Sequence, residues 1–589
     1  MPADALSGTE RAIVEAVLRE QLMNYTRGIA QWVRLSGTED ERKAFEYVAE
    51  QLRQLGVESH LYLGFGYISL PRGAALRVGQ KELRAITHSM AASTPDGGVD
   101  LPAIYLGNGA ESDLAAQDVR GRAVVIEGLA MPARVLAANH AGAAACIFVN
   151  HDRYVHEMIV SGVWGSPTSE DKHQLPQIPV VSLGKEDGDI LRALVTGPQP
   201  VEVHLEAQVE TRWREIPTLT AQVDGVDEPE KFVLFSGHID SWHYGAMDNG
   251  SANATMLEAL RVLLPYRNMF RRGLRLAFWS GHSHGRYAGS TWYADNFWED
   301  LHENCVMHIN VDSTGGQNAV VLSEAPAMAE TQPCASAIIQ ALTGVEFAGT
   351  RFGRAGDQSF QGHGIPSLFM SLSVQPVSGG DSPAEMFSGG AGRARDGGLG
   401  WWWHTTEDTV DKIDPDFLVR DTRIYAAIIY RFLSSALLPL NVQASAEDLL
   451  HHLRMWQQKA GQRFDLSGVV ARAEEVANLA ERFQARLAAG AGELPSAALR
   501  QLNAIISAVE KPLVRLNYVQ ADPYAHDPAL SQPPVPLLAP LDALLASAPG
   551  SDTHYEITTL LVRRRNRILH ELAQARHSLQ EGLTLLGKK

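Results

Sequence analysis

The chain has 589 residues, enough for three to four domains at roughly 150 residues each. Its 51 Lys+Arg against 68 Asp+Glu leave a net charge of −17, which repels phosphate backbones and anionic lipid and argues against nucleic acid or a membrane surface as partner. Hydrophobic residues at 45% and charged residues at 20% exclude wholesale disorder.

In chain order, residues 8–55 read as helical. Thr38 and Glu41 have capping-box spacing, and Phe45, Val48, Leu52 and Leu55 follow with a helical period. Gly56 stops that helix, and 57–63 reads as a strand. A different texture starts near residue 74. Short strands at 123–126 and 146–149 alternate with a helix at 133–140, which the run Ala141-Gly-Ala-Ala-Ala145 packs closely against the next strand. From 214 to 440, apolar strand cores at 232–235, 274–278, 306–311 and 366–370 alternate with helices. Runs this apolar predict an α/β fold with a doubly wound sheet covered on both faces. Residues 371–400 hold eight glycines and read as a mobile active-site loop.

After 440 the chain turns helical. Val469, Ala473, Val476, Leu479, Phe483 and Leu487 form one apolar stripe, and Ile568, Leu572, Ala575, Leu579, Gly582 and Leu586 another. They predict a helical core or a dimer seam, and their extent leads us to expect a two-fold homodimer. The best membrane-span candidate, 426–440, is broken by Arg431, and residues 1–20 lack the layout of a signal peptide. Three cysteines, Cys146, Cys305 and Cys334, without C-x-x-C spacing read as small buried hydrophobes. These features predict a soluble, cytoplasmic protein.

The chemistry concentrates at strand ends. Ser236-Gly-His-Ile-Asp-Ser241 follows an apolar strand, so His238 lies where open α/β sheets bind ligands. Gly245-Ala-Met-Asp-Asn-Gly-Ser251 puts Asp248 on a loop before a helix. Asp312 follows the strand 306–311, and His404 opens His404-Thr-Thr-Glu-Asp-Thr409. Two histidines and two aspartates at four strand ends are mixed nitrogen and oxygen donors suited to Zn²⁺, with Mn²⁺ as an alternative.

This order resembles the co-catalytic zinc aminopeptidases, above all the branch with glutamate carboxypeptidase II and the transferrin receptor. The 74–205 region, with DVRGRAVVIEG, AANHAGAAACIFVN and LPQIPVVSL, resembles a protease-associated (PA) domain. The resemblance implies a zinc-aminopeptidase-like sheet with an inserted PA domain and a C-terminal helical dimerisation domain. The parts would be 1–73 and 206–440 for the peptidase-like domain, 74–205 for the PA domain and 441–589 for the helical domain. It further implies that His238, Asp248 and Asp312 hold one zinc. Asp248 would bridge to a second, which His404 also binds, and Asp240 would orient a ligand.

The chain departs from that pattern at Phe278-Trp-Ser-Gly-His-Ser-His-Gly-Arg-Tyr-Ala-Gly-Ser290. The family has two adjacent glutamates there, one the general base and one a ligand of the second metal. Here those positions fall on His282 and Ser283, one extra residue precedes Gly289, and the segment holds no carboxylate. Trp403 replaces the usual Tyr before the last ligand. A neutral imidazole at His282 serves either as base or as substitute metal ligand.

Arg354 and Asp357, in Gly353-Arg-Ala-Gly-Asp-Gln-Ser359, fall in the family's substrate-binding region. Arg354 reads either as a clamp for a substrate carboxylate or as a loop anchor. Trp401-Trp-Trp403 offers an aromatic pocket wall, although three adjacent Trp cannot all face one way. The function expected is metal-dependent hydrolysis of an amide bond in a small amide or short peptide. The alternative is a catalytically inactive pseudo-peptidase that acts as a binding scaffold.

Overall fold

The computed structural model describes residues 6–376, 397–490 and 494–587. Most of the glycine-rich stretch expected as an active-site loop, 377–396, lies outside the described residues.

The N-terminal segment forms three helices, Gly8–Glu15, Arg19–Ile29 and Glu39–Gln54, the last ending at Gly56 with φ +75°. The expected capping box at Thr38 does not form. The Thr38 hydroxyl donates to the Leu35 carbonyl, and Glu41 accepts from the Gly37 amide one residue earlier. Glu41 is buried beneath the site and faces Asp240, and burial holds its carboxyl well above the ordinary value.

Twelve strands share one mixed sheet. They are β1 (Ser59–Val78), β2 (Lys81–Leu83), β3 (Ala85–Thr87), β4 (Val99–Tyr105), β5 (Ala123–Glu127), β6 (Ala145–Val149), β7 (Val180–Leu183), β8 (Glu202–Val223), β9 (Glu228–His238), β10 (Arg272–Trp279), β11 (Cys305–Asn310) and β12 (Ser367–Leu368). The strand expected at 57–63 is the start of the 20-residue β1, which pairs antiparallel with the 22-residue β8 from Ser59↔Ala221 to Arg77↔His204. This long ribbon joins two parallel blocks. At one end β8 pairs antiparallel with β10, and β10, β9, β11 and β12 run parallel. At the other, β8 pairs antiparallel with β4, and β4, β5, β6 and β7 run parallel. The boundaries expected at 73/74 and 205/206 fall inside β1 and β8.

Alternation explains why the central strands are apolar throughout. Val233 and Phe235 face the helices Ala252–Leu263 and Pro415–Ser434, whereas Phe232 and Leu234 face Tyr293, Ala294 and Leu301. The three cysteines are free and buried, as expected, and burial pushes their thiols up to about 12.

The two C-terminal stripes close on each other within the chain. Helix Ser467–Gly490 packs against Asp552–Gly587, and a Cβ added at Gly582 would meet the Phe483 ring at 2.5 Å. The stripes therefore give no reason to invoke a second copy. No helix among the described residues is long and apolar enough to cross a membrane.

Candidate metal centre

Three loops leave the C-terminal ends of the parallel strands, and a fourth comes from residues 401–409. β9 ends at His238, the loop after it carries Asp248, and β11 delivers Asp312. The structure brings His238, Asp248, Asp312 and His404 together. Asp248 uses both oxygens, Oδ1 at 3.1 Å from His238 Nε2 and Oδ2 at 3.0 Å from His404 Nε2. Asp312 Oδ2 lies 3.5 Å from His238 Nε2.

Both imidazoles are tied from behind by backbone. His238 Nδ1 bonds the Asp240 carbonyl at 2.9 Å, and His404 Nδ1 bonds the Glu157 carbonyl at 2.6 Å. Each Nε2 is thus left to face the carboxylates. Among the described residues, neither His238 Nε2 nor Asp248 Oδ1, both buried, has an aligned hydrogen-bond partner, although the two lie 3.1 Å apart. Buried polar atoms are almost always paired, so this donor set fits a cation coordinated between them. The local field agrees. Burial alone would lower the His238 pKa, yet the carboxylates of Asp240, Asp248 and Asp312 beside it hold it well above the ordinary imidazole value.

The Asp248 loop is itself pinned. Asp408 accepts the Met247 and Asp248 amides at 2.8 and 3.0 Å, and burial pushes its carboxyl up to about 7. Asn249 bonds the Ser313 amide and the Val311 carbonyl. Arg34 is fully buried and gives its N–H groups to the carbonyls of Ile29, Trp32, Ile239, Tyr244 and Gly245, clamping the loop between His238 and Asp248.

The departing segment is organised differently. The His282 ring stacks on His238, with centroids 3.7 Å apart and planes 12° apart. Its Nδ1 lies 2.8 Å from Asp357 Oδ2. A carboxylate only accepts, so Nδ1 carries a proton, and in the neutral imidazole Nε2 keeps its lone pair. His238, His282 and Asp312 each bring one donor atom within 4.8 Å of the others. Asp357 is held in turn by the Ser290 hydroxyl at 2.7 Å, Ser290 bonds Ser359 at 2.9 Å, and Trp164 Nε1 donates to Ser359 at 3.0 Å. Asp240 serves both regions. Its carbonyl orients His238, while its carboxylate accepts the His282 and Ser283 amides at 3.2 and 2.8 Å and the Ser36 hydroxyl at 2.7 Å. Ser283 Oγ points into buried space with no partner, and His284 packs behind against Trp242.

The remaining candidates separate. Asp357, expected to touch substrate, holds His282. Arg354 is half-buried, and all three of its nitrogens are engaged, with the carbonyls of Pro528 and Asp527 and with Gln361. It therefore anchors the 527–528 loop and presents no free clamp. Trp403 stacks on His404 at 3.4 Å and lines the cleft, whereas Trp401 stacks on Tyr154. The cleft holds about 170 Å³ and is lined by Met131, Pro132, Met158 and Ile159 and by His282, Arg286, Tyr287 and Met370. Arg286, Tyr287, Ser313 and His404 all carry positive φ without being glycine, so backbone strain collects around this cleft.

Comparison with known proteins followed the same lines. Residues 218–429 match the profile of peptidase family M28, and residues 89–191 that of the PA domain. The chain is 25% identical over 349 residues to a probable glutamate carboxypeptidase, VP8, from Zea mays, covering 49% of each chain. It is also 25% identical over 289 residues to carboxypeptidase Q from Mus musculus, covering 44% of this chain and 58% of that one. The chain thus spans about half the length of the curated relatives it matches. Among solved structures, it shares its fold with a peptidase M28 precursor from Shewanella amazonensis, with a TM-score of 0.57 at 20% identity over 72% of this chain and 96% of that one. A zinc aminopeptidase from Bacillus subtilis superposes with a TM-score of 0.55 at 20% identity, over 71% and 96%.

Proposed function

We propose, on the premise that the chain belongs to the co-catalytic zinc aminopeptidase family through its peptidase family M28 and PA segments, that it hydrolyses an amide bond in a small amide or short peptide. His238, Asp248, Asp312 and His404 would hold the metal. A bound zinc ion polarises the scissile carbonyl and lowers the pKa of water at the site.

The chain's own residues supply the proton path. His282, with Nδ1–H bound to Asp357, has a ring nitrogen within 4.8 Å of donor atoms of His238 and Asp312. Nε2 takes the proton from attacking water and returns it to the departing amine. Asp357 fixes the tautomer and stabilises the imidazolium formed in between. Asp240 holds the His282 backbone, and the apolar walls of Met131, Met158, Ile159 and Met370 keep bulk water away. The Asp357–His282 pair facing the metal donors is the observation that carries this reading.

Metal analysis joined to a dipeptide panel tests it. Bound zinc, a Tm raised by added Zn²⁺ or Mn²⁺, and dipeptide hydrolysis are expected. A protein that neither binds metal nor gains stability from it would favour the scaffold role instead.

A further inference from the structure

Asp248 offers two places for a cation. Its Oδ1 faces His238 Nε2 at 3.1 Å, and its Oδ2 faces His404 Nε2 at 3.0 Å. Zinc at a reactive centre takes three protein donors and leaves the fourth position to water. On the Oδ1 side the set is complete, because Asp312 Oδ2 lies 3.5 Å from the same His238 nitrogen. His282 stands on this side too, with a ring nitrogen within 4.8 Å of donor atoms of His238 and Asp312.

On the Oδ2 side the set stops at two. Among the described residues, Asp248 is the only carboxylate within 4.0 Å of a His404 nitrogen. The other acids around the site are engaged elsewhere. Asp240 accepts two amides and the Ser36 hydroxyl, Asp408 accepts two amides, and Asp357 holds His282 and Ser290. The Glu157 carboxylate turns to His243 Nε2, 3.7 Å away. The second nitrogen of His404 bonds the Glu157 carbonyl at 2.6 Å. Trp403 stacks on the His404 ring at 3.4 Å, and the Trp242 ring lies 5.4 Å from it, so aromatic groups stand where a further donor would be needed. Ser283 lines the same cleft with a buried Oγ that has no partner, but a neutral hydroxyl is not among the donors that hold zinc. Charge points the same way. Two divalent ions in one site stand about 3.5–4 Å apart, which would set four positive charges against the carboxylates of Asp248 and Asp312. One ion is matched by that pair.

From this donor count we infer that the chain holds one metal ion, at His238, Asp248 and Asp312. His404 orients Asp248 through its hydrogen bond, and the shortage of a third donor beside it keeps a second ion out. The inference rests on the hydrolytic reading above for its choice of metal, and it divides the four side chains named there into three donors and one positioning residue. His282, the base of that reading, stands beside the one ion.

The test counts zinc in the full chain. Protein stripped with a chelator, loaded with excess Zn²⁺ and desalted is weighed by native mass spectrometry, with elemental analysis of the same sample. One zinc per chain is expected. His404→Ala should retain that zinc, with affinity lowered by about 10- to 100-fold in a chelator competition, the usual effect of losing a group that orients a ligand. Ser283→Glu places a carboxylate in the cleft and should retain two zinc ions. Two ions in the wild-type chain, falling to one in His404→Ala, would overturn the inference. A His404→Ala chain that retains none would make His404 a donor of the single ion and overturn the division of roles. A Ser283→Glu chain with wild-type Tm and one zinc would overturn the shortage of donors as the cause. One zinc without hydrolysis of any dipeptide would keep the single ion and remove the hydrolase reading, whereas two zinc ions with hydrolysis would do the reverse.

Discussion

The three loops that carry the four candidate donors and the Ser280–Ser290 segment border the same cleft but are held by different means. In the loops, main-chain groups do the positioning. His238 and His404 are oriented by carbonyls, Asp248 by amides bound to Asp408, and the whole loop by Arg34 acting on carbonyls. In the segment, Asp240 holds the His282 and Ser283 amides, but side chains position the ring. His282 depends on Asp357, Asp357 on Ser290, Ser290 on Ser359, and Ser359 on Trp164. Main-chain anchoring tolerates sequence change around the ligand. A side-chain relay can be rebuilt around a new residue, as here with imidazole where the family has carboxylates. The metal centre should therefore fail as a unit, and the relay should fail in graded steps.

The largest effect is expected from the loops. His238→Ala or Asp312→Ala should lose metal and all measurable activity together, because each removes a donor from a set with no spare. Mass spectrometry of the native protein alongside a dipeptide assay checks this, and full metal content in either variant would break the assignment. A step smaller, Asp357→Asn should lower kcat by about 10- to 100-fold with metal retained, since the amide no longer fixes the His282 tautomer. Arg34→Met should act in the opposite sense, weakening zinc affinity by about tenfold and lowering Tm while the intrinsic rate of the loaded enzyme changes less. Zinc titration with a competing chelator separates the two variants. Smallest is Ser359→Ala, which removes two neutral hydrogen bonds, with Ser290 and Trp164, at the third residue along the relay from His282 and should cost about 1 kcal/mol of transition-state stabilisation, a few-fold in kcat. An Arg34 variant with normal zinc affinity would erase the distinction between the two regions.

The same distinction explains what was legible in the sequence. The four candidate donors sit in short motifs, so their spacing pointed to residues that the structure brings together, and β9, β10 and β11 were readable from their apolar runs. Asp408 and Asn249 lie inside those same motifs, next to named residues, yet their tasks depend on amides that spacing does not reveal. The partners of the relay are long-range. Asp357 is 75 residues from His282, and Glu157, whose carbonyl holds His404, is 247 residues away. The strand at 57–63 looked short because its continuation alternates small, polar and apolar residues, and only pairing with β8 makes it one strand. Thr38 and Glu41 satisfied a local cap in spacing, but the demand for a buried partner at Gly37 outweighed it. The helical stripes were read correctly as apolar, but periodicity does not tell whether the matching face lies in the same chain.

Metal stoichiometry and the pH–rate profile of His282→Ala, measured on one preparation, test the central claim most directly. The account predicts metal retained at the His238–Asp248–Asp312 set, kcat lowered by about 10²–10⁴, and loss of the acidic limb of the kcat/KM profile. Unchanged metal content, rate and profile would contradict it, and loss of one metal ion with the profile's shape preserved would make His282 a ligand and not the base.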